Sequence, residues 1–458
     1  DDTGAYRPHL LPVDPTIYWA NPLGPRDGHG SGVEAYAGPV PIVTHVHGAH
    51  VADHSDGYPQ AWFLPAASNL PADTFRQGSF YAEAPGAVHE DGAAWFEYGN
   101  DQRASTLWYH DHTLGMTRLN VYAGMAGFYL IRDALEDGLG MPGPAPRLGD
   151  PPATKYHEIP IVIQDRSFYE DGSLFYPDSR AFFDGYAGPY YDGVSGVDLP
   201  SPIWNPESFG NVMVVNGRTW PFFEVEARRY RLRLLNGSNA RFLILSASPA
   251  VDFAQVGADQ GLLPNAPVIQ DSLLLAPAER ADVIVDFSGL APGTTVTLLN
   301  RGPDEPFGGG TPGVDFSPAD PETTGQVMQF RVVAAAGPDT SLVPSAPVPP
   351  GTLATLLPPR DLTLNEIMHV QDGSEYPIEA LLGTAADGPL EWDTGTITER
   401  PSLGSTERWR IINLTGDAHP IHLHLVHFQV VERTPFDTSA FAAQQAAHLA
   451  DPLAVPPP

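Results

Sequence analysis

The chain has 458 residues, 42% hydrophobic and 17% charged, with 55 acidic against 24 basic side chains and a formal net charge of −31. That length and composition suit a globular protein of about three domains. So acidic a surface repels nucleic acid and anionic lipid but attracts cations. There is no cysteine, which excludes disulfides, zinc ribbons and thiol catalysis, and no apolar run is long enough to span a bilayer.

The 49 prolines and 45 glycines are spread along the chain. With little long helical periodicity between them, they predict an all-β protein of short strands joined by turns. The chain opens on Asp1-Asp2 without methionine. That start is compatible with a removed leader and a secreted or periplasmic location, and equally with an arbitrary beginning.

A first domain is expected over residues 1–150. Its clearest strands are residues 41–48, 105–112 and 126–131, which fit one antiparallel sandwich. Side chains alternate along a strand, so His45 and His47 share a face, and so do His110 and His112. The Pro- and Gly-rich residues 138–152 read as a linker.

A second domain is expected over residues 151–345, with strands at 158–163, 212–217, 230–236 and 327–333. Another linker, rich in Pro and Ala, runs over residues 334–350, and a third domain takes residues 346–458. Residues 229–236, Arg-Tyr-Arg-Leu-Arg-Leu-Leu-Asn, resemble Arg-Trp-Arg-Ile-Ile-Asn at 408–413, and each is followed by a polar turn. Repetition at domain scale implies one sandwich used three times. The second copy has no histidine after His157, so it reads as a spacer.

The densest chemistry lies in the third domain, at His419-Pro420-Ile421-His422-Leu423-His424. With the apolar, β-branched residues 425–431 behind it, this stretch reads as a strand. His422 and His424 then point the same way, with Leu423 turned into the core. His419 precedes a proline, where the chain is extended but unladdered. One ribbon can therefore feed two metal positions, which suits a copper cluster better than a single zinc. The domain reads as incomplete, because it ends in the turn-like residues 451–458. A sandwich short of its last strands exposes apolar faces and unpaired edges.

Six of the 16 histidines fall in three His-x-His pairs: His45 with His47, His110 with His112, and His422 with His424. One such pair on a solvated strand is ordinary. Three of them, on strand-like segments of the first and third copies, point to metal binding. Imidazole suits Cu, Zn, Fe and Ni, and neither a two-histidine-one-carboxylate set nor a His-Glu-x-x-His helix steers toward iron or zinc. Many histidines converging from two domains suggest more than one ion, in a pocket at their boundary. The remaining histidines, among them His50, His54 and His427, read as solvated or packed.

The three pairs resemble the first three copper motifs of three-domain multicopper oxidases, the laccase-like cupredoxins. Bacterial spore-coat laccases, bilirubin oxidases and phenoxazinone synthases are the nearest group. Residues 56–63 (Asp-Gly-Tyr-Pro-Gln-Ala-Trp-Phe), 162–166 (Val-Ile-Gln-Asp-Arg) and 275–280 (Leu-Ala-Pro-Ala-Glu-Arg) are similar to tracts of that group.

The resemblance implies three consecutive cupredoxin-like Greek-key sandwiches, the third lacking its last strands, and four coppers in type 1, type 2 and binuclear type 3 centres. By position, His45 and His422 would bind type 2 copper. His47, His110, His112 and His424 would bind the type 3 pair, and His419 would be a type 1 ligand. Asp111 resembles an acid that moves protons toward dioxygen, with the alternative that it fixes an imidazole tautomer. The implied reaction couples one-electron oxidation of phenols or aromatic amines to reduction of dioxygen to water. Oxidation of Mn(II), Cu(I) or Fe(II) and a non-enzymatic copper-binding scaffold are the alternatives.

The family's fourth motif, His-Cys-His with a further His, is absent from these residues, and a blue copper centre needs its thiolate. The expectation is therefore a complementing C-terminal polypeptide, either a separate subunit or a cleavage product. The competing explanations are a portion of a single-chain oxidase and a non-enzymatic relative.

Overall fold

The computed structural model describes residues 4–29, 36–185, 190–191, 198–199, 203–265, 267–345, 358–371, 373–392 and 395–458. Residues 346–350 of the expected second linker lie outside them.

Short strands dominate, as expected of an all-β chain. Near the N-terminus, β1 (Thr44–His47), β2 (Ser105–Asp111) and β3 (Ala126–Ile131) form an antiparallel sheet in that order. A short helix, α1 (Thr117–Tyr122), lies between β2 and β3, and another, α2 (Ala134–Gly138), follows β3. The register sets His45 opposite His110 and His47 opposite Trp108. Two histidine pairs predicted to share a face are thus laid side by side.

The next strands build two sheets. One contains β4 (Glu158–Phe168) and β5 (Val212–Val215). The other begins with β6 (Phe222–Glu226). Then come β7 (Arg229–Asn236), β8 (Leu243–Ser248), β9 (Phe253–Ala258) and β10 (Ser272–Leu275). The series closes with β11 (Arg280–Asp286), β12 (Thr295–Asn300) and β13 (Gln326–Val333). The first sheet runs β5-β4-β7-β11-β9 and the second β6-β13-β12-β8-β10.

Alternation decides what each face of β7 does. Tyr230, Leu232 and Leu234 point into a shared core with Ile161, Ile163, Val283 and Val285, against Val225, Leu243, Leu245, Val296 and Leu298 of the second sheet. Each such apolar side chain contributes roughly 1.5–3 kcal/mol by leaving water.

The opposite face carries Arg231 and Arg233, which are also buried. Arg231 donates to Asp282 Oδ1 at 2.8 Å and to Glu136 Oε1 at 2.6 Å, and Arg233 bonds Glu158, Glu136 and the Thr106 hydroxyl. Glu136 lies on α2 and Thr106 on β2, so the outer face of the second sandwich is tied to the first expected domain. Residues 1–348 accordingly form one compact unit, joined by His419–His427, while residues 349–418 and 428–458 form another. The linker expected at 138–152 marks no break in packing.

The second unit holds β14 (Arg360–Gln371), β15 (Ser374–Thr384), β16 (Gly388–Leu390) and β17 (Trp409–Asn413). Their order is β16-β15-β14-β17. The repeat seen in the sequence is structural. β7 pairs in parallel with β4, and β17 pairs in parallel with β14. Each repeat ends in an asparagine that turns the chain: Asn236 Oδ1 accepts from Ser238 N, and Asn413 Oδ1 from Thr415 N.

One expectation about the C-terminal part needs correction. Residues 419–431 do not form a strand, because no described strand pairs with them. Val426, Phe428, Val430 and Val431 stand exposed, the last at 85%. Beyond residue 431 a helix, α3, spans Thr438–Ala450. Its alanine-rich sequence favours helix, and Asp437 caps it by accepting from Ser439 N and Ala440 N.

A candidate copper centre

The site begins with the β1–β2 register. His45, His47 and His110 are buried, and their ring nitrogens form a group of three within 4.8 Å of one another. The third motif enters from residues 419–427. His45, His422 and His424 form a second such group, sharing His45 with the first.

The first and third motifs interleave. The His47 and His422 rings stack at 3.6 Å, those of His45 and His424 at 4.0 Å, and the Nε2 atoms of His45 and His422 are 3.2 Å apart. His112 completes the set, its ring centroid 4.9 Å from that of His424 and 5.1 Å from that of His45. This segment, which no described strand pairs with, thus delivers His422 and His424 to one side without ladder geometry. His419 is exposed and belongs to neither group.

These imidazoles fit copper on their own chemistry. Burial, reinforced by neighbouring charge, pushes His47 and His112 well below the usual histidine range and His110 and His422 down to about 3. Burial also lowers His45, against hydrogen bonding to Asp56. A neutral ring offers the lone pair that a borderline metal ion needs. The tautomers are set from behind: His45 Nδ1 donates to the Asp56 carbonyl at 2.5 Å, and His110 Nδ1 to the Asp111 carbonyl at 2.7 Å. Each leaves its Nε2 facing the group. Among the described residues the buried Nδ1 of His112 has no hydrogen-bond partner, as expected of a ligand atom.

The acid expected to act here was Asp111, and the structure shows what its carboxylate touches. Its buried carboxylate accepts from Val43 N (3.0 Å), Thr113 N (3.0 Å), Thr113 Oγ1 (2.8 Å) and Asn120 Nδ2 (2.8 Å). None of these bonds goes to an imidazole. Burial pushes the group up to about 6 against those donors. Its carboxylate braces the ends of β1 and β2, and only its main-chain carbonyl meets a ligand ring.

The carboxylate that does meet ligands is Asp56. Its Oδ2 accepts from His424 Nδ1 at 2.7 Å, and its Oδ1 lies 3.5 Å from His45 Nδ1. Burial pushes Asp56 up, but the bonds from His424 and His45 outweigh it and hold the group well below the usual carboxylate range. Asp56 opens the tract at 56–63 noted in the sequence. Its contact with a histidine 368 positions away has no local signature.

Comparison with known proteins agrees with this chemistry. The multicopper oxidase family model matches residues 357–455. The chain is 38% identical over 452 residues to a laccase of Bacillus stratosphericus and 36% over 453 residues to a laccase of Bacillus subtilis, covering 98% of this chain and 74% of each relative. Among solved structures, a laccase from Pediococcus acidilactici Pa5930 superposes with TM-score 0.53 at 25% identity, over 82% of this chain and 61% of that one. The McoA multicopper oxidase of Aquifex aeolicus gives TM-score 0.56 at 24% identity, over 87% and 72% respectively, a likeness of fold. The chain belongs to the multicopper oxidase family. It is a copper-dependent oxidoreductase, and the laccase-like resemblance and the expected copper cofactor are borne out.

Proposed function

We propose that this chain couples one-electron oxidation of phenolic or aromatic-amine donors to the four-electron reduction of dioxygen to water. The observation that carries the reading is the meeting of six imidazoles from three His-x-His motifs, with Nε2 of His45 and His422 3.2 Å apart. In this reading His45 and His422 hold type 2 copper, and His47, His110, His112 and His424 hold the type 3 pair. His419 is a type 1 ligand, standing three residues before the cluster histidine His422. Copper bound there supplies one-electron chemistry, with several ions sharing the four electrons that dioxygen takes up.

The chain's own part is to keep the rings neutral and aimed. The carbonyls of Asp56 and Asp111 fix the Nδ1 protons of His45 and His110, and the Asp56 carboxylate fixes that of His424. Asp56, held ionised by these bonds, serves as a fixed acceptor behind the ligand rings.

The cysteine and remaining histidines of the family's fourth motif are proposed to come from polypeptide outside these 458 residues, as a separate subunit or a cleaved segment. The lack of any cysteine here supports this. The net charge of −31 also favours a second reading, in which Mn(II), Fe(II) or Cu(I) is the electron donor.

Two measurements test the proposal. His422→Ala should abolish oxygen uptake while the variant keeps its type 1 blue colour, and unchanged uptake refutes the assignment. Intact mass of the native material should reveal an additional polypeptide of roughly 70–100 residues. Blue absorption from this chain alone would defeat the missing-thiolate argument. Steady-state oxygen uptake with a phenol and with each metal ion separates the two donors.

A further inference from the structure

The second sandwich carries no copper ligand, yet it places one buried cation against the ligand strands. Arg280 opens β11 and is 3% exposed. Its Nε donates to the Thr106 carbonyl on β2 at 3.0 Å, its Nη1 to the Ala278 carbonyl at 2.8 Å and its Nη2 to the Asp259 carbonyl at 3.2 Å. The Asp259 carboxylate lies 3.1 Å from Nη1 and is 41% exposed.

Gly48, directly after His47, has φ +90°, and a Cβ built on it would lie 3.2 Å from Arg280 Nη2 and 3.0 Å from Leu107 Cδ2. The His47–Gly48 turn therefore rests against the guanidinium with no room for a side chain. Thr106 is gripped twice from the second sandwich, at its carbonyl by Arg280 and at its hydroxyl by Arg233. By the two-residue repeat of a strand, Thr106 shares its face of β2 with His110.

We infer that Arg280 is a positioning residue of the copper centre: it fixes β2 and the His47–Gly48 turn, and it sets a permanent positive charge behind the His47–His110 pair. A fixed cation in a poorly solvated place favours negative charge at the site it faces, whether an incoming anion or an added electron. The ligand-free domain thereby tunes the centre it does not ligate. This inference rests on the copper reading given above.

The test is azide binding to the copper-loaded holoenzyme, followed by its charge-transfer absorption and the type 2 paramagnetic signal. Arg280→Gln should raise the azide dissociation constant at least threefold, whereas Arg280→Lys, which keeps the charge, should stay within about twofold of wild type. Asp259→Asn removes the partly exposed counter-charge and should tighten azide binding. It keeps the inference testable if Arg280→Gln does not fold. The inference is overturned if Arg280→Gln binds azide like the wild type, if Lys fails to rescue, or if Asp259→Asn weakens binding or leaves it unchanged. A wild-type protein with no azide band overturns the copper reading and this inference together. A normal wild-type band with unmoved variants overturns the inference alone.

Discussion

Arg233→Met asks whether the two expected N-terminal domains are held together by their buried ion network. Three guanidinium groups (Arg132, Arg231, Arg233) there face three carboxylates (Glu136, Glu158, Asp282). Arg233 is 1% exposed and binds Glu158, Glu136 and Thr106. Methionine refills most of the volume but leaves three buried carboxylates with two cations. Removing one partner from a buried ionic network costs about 3–5 kcal/mol, and the refilled volume argues for the lower end. At about 2 °C of melting temperature per kcal/mol for a unit this large, the fall is roughly 6 °C.

The pH dependence has a definite sign. Burial pushes Glu158 and Asp282 up, but the arginines outweigh it and hold both below the usual carboxylate range. A folded-state value below the unfolded one gives stability that is present above about pH 4 and lost as pH falls through the folded value. In Arg233→Met that depression weakens. The deficit against wild type should therefore be full near neutral pH and shrink as pH falls below about 4. Denaturant unfolding of the copper-free protein at both pH values measures it. A deficit under about 1 kcal/mol at neutral pH, or one that grows toward acid, refutes the reasoning.

Three further outcomes follow from the site. Asp56→Ala removes the acceptor behind His424 and should weaken copper retention roughly 10–100-fold in a chelator competition; unchanged retention would show that the contact does not orient the ligand. Asp111→Asn mismatches a carboxylate that accepts four hydrogen bonds, and should cost about 2–3 kcal/mol of stability without moving the pH profile of oxygen uptake. A moved profile would restore Asp111 as a proton carrier. Gly48→Ala forces a side chain onto a left-handed residue with a contact at 3.0 Å, and should cost about 1–3 kcal/mol in thermal unfolding. A neutral result would mean that the turn is loose.

The sequence alone determined whatever depends on short periods. Alternation put His45 with His47 and His110 with His112, and the same two-residue period set Leu232 and Leu234 opposite Arg231 and Arg233. It also carried the domain repeat, down to the asparagine that ends each copy. A strand's faces follow from its own residues, so these features need no partner to be read.

Only the tertiary structure decided what long-range partners settle. Residues 419–431 have strand-like composition but no ladder partner among the described residues, and His422 and His424 reach the site from an irregular segment. Asp111, flanked by two ligands, faces the brace formed by Val43, Thr113 and Asn120, while Asp56 faces the imidazoles. The second sandwich, a spacer by its lack of histidines, grips β2 through Arg233 and Arg280. Where a polar side chain points depends on which distant donors and acceptors the fold buries beside it, because an unmet buried charge or hydrogen bond costs too much to leave. Residue type and spacing do not encode that choice.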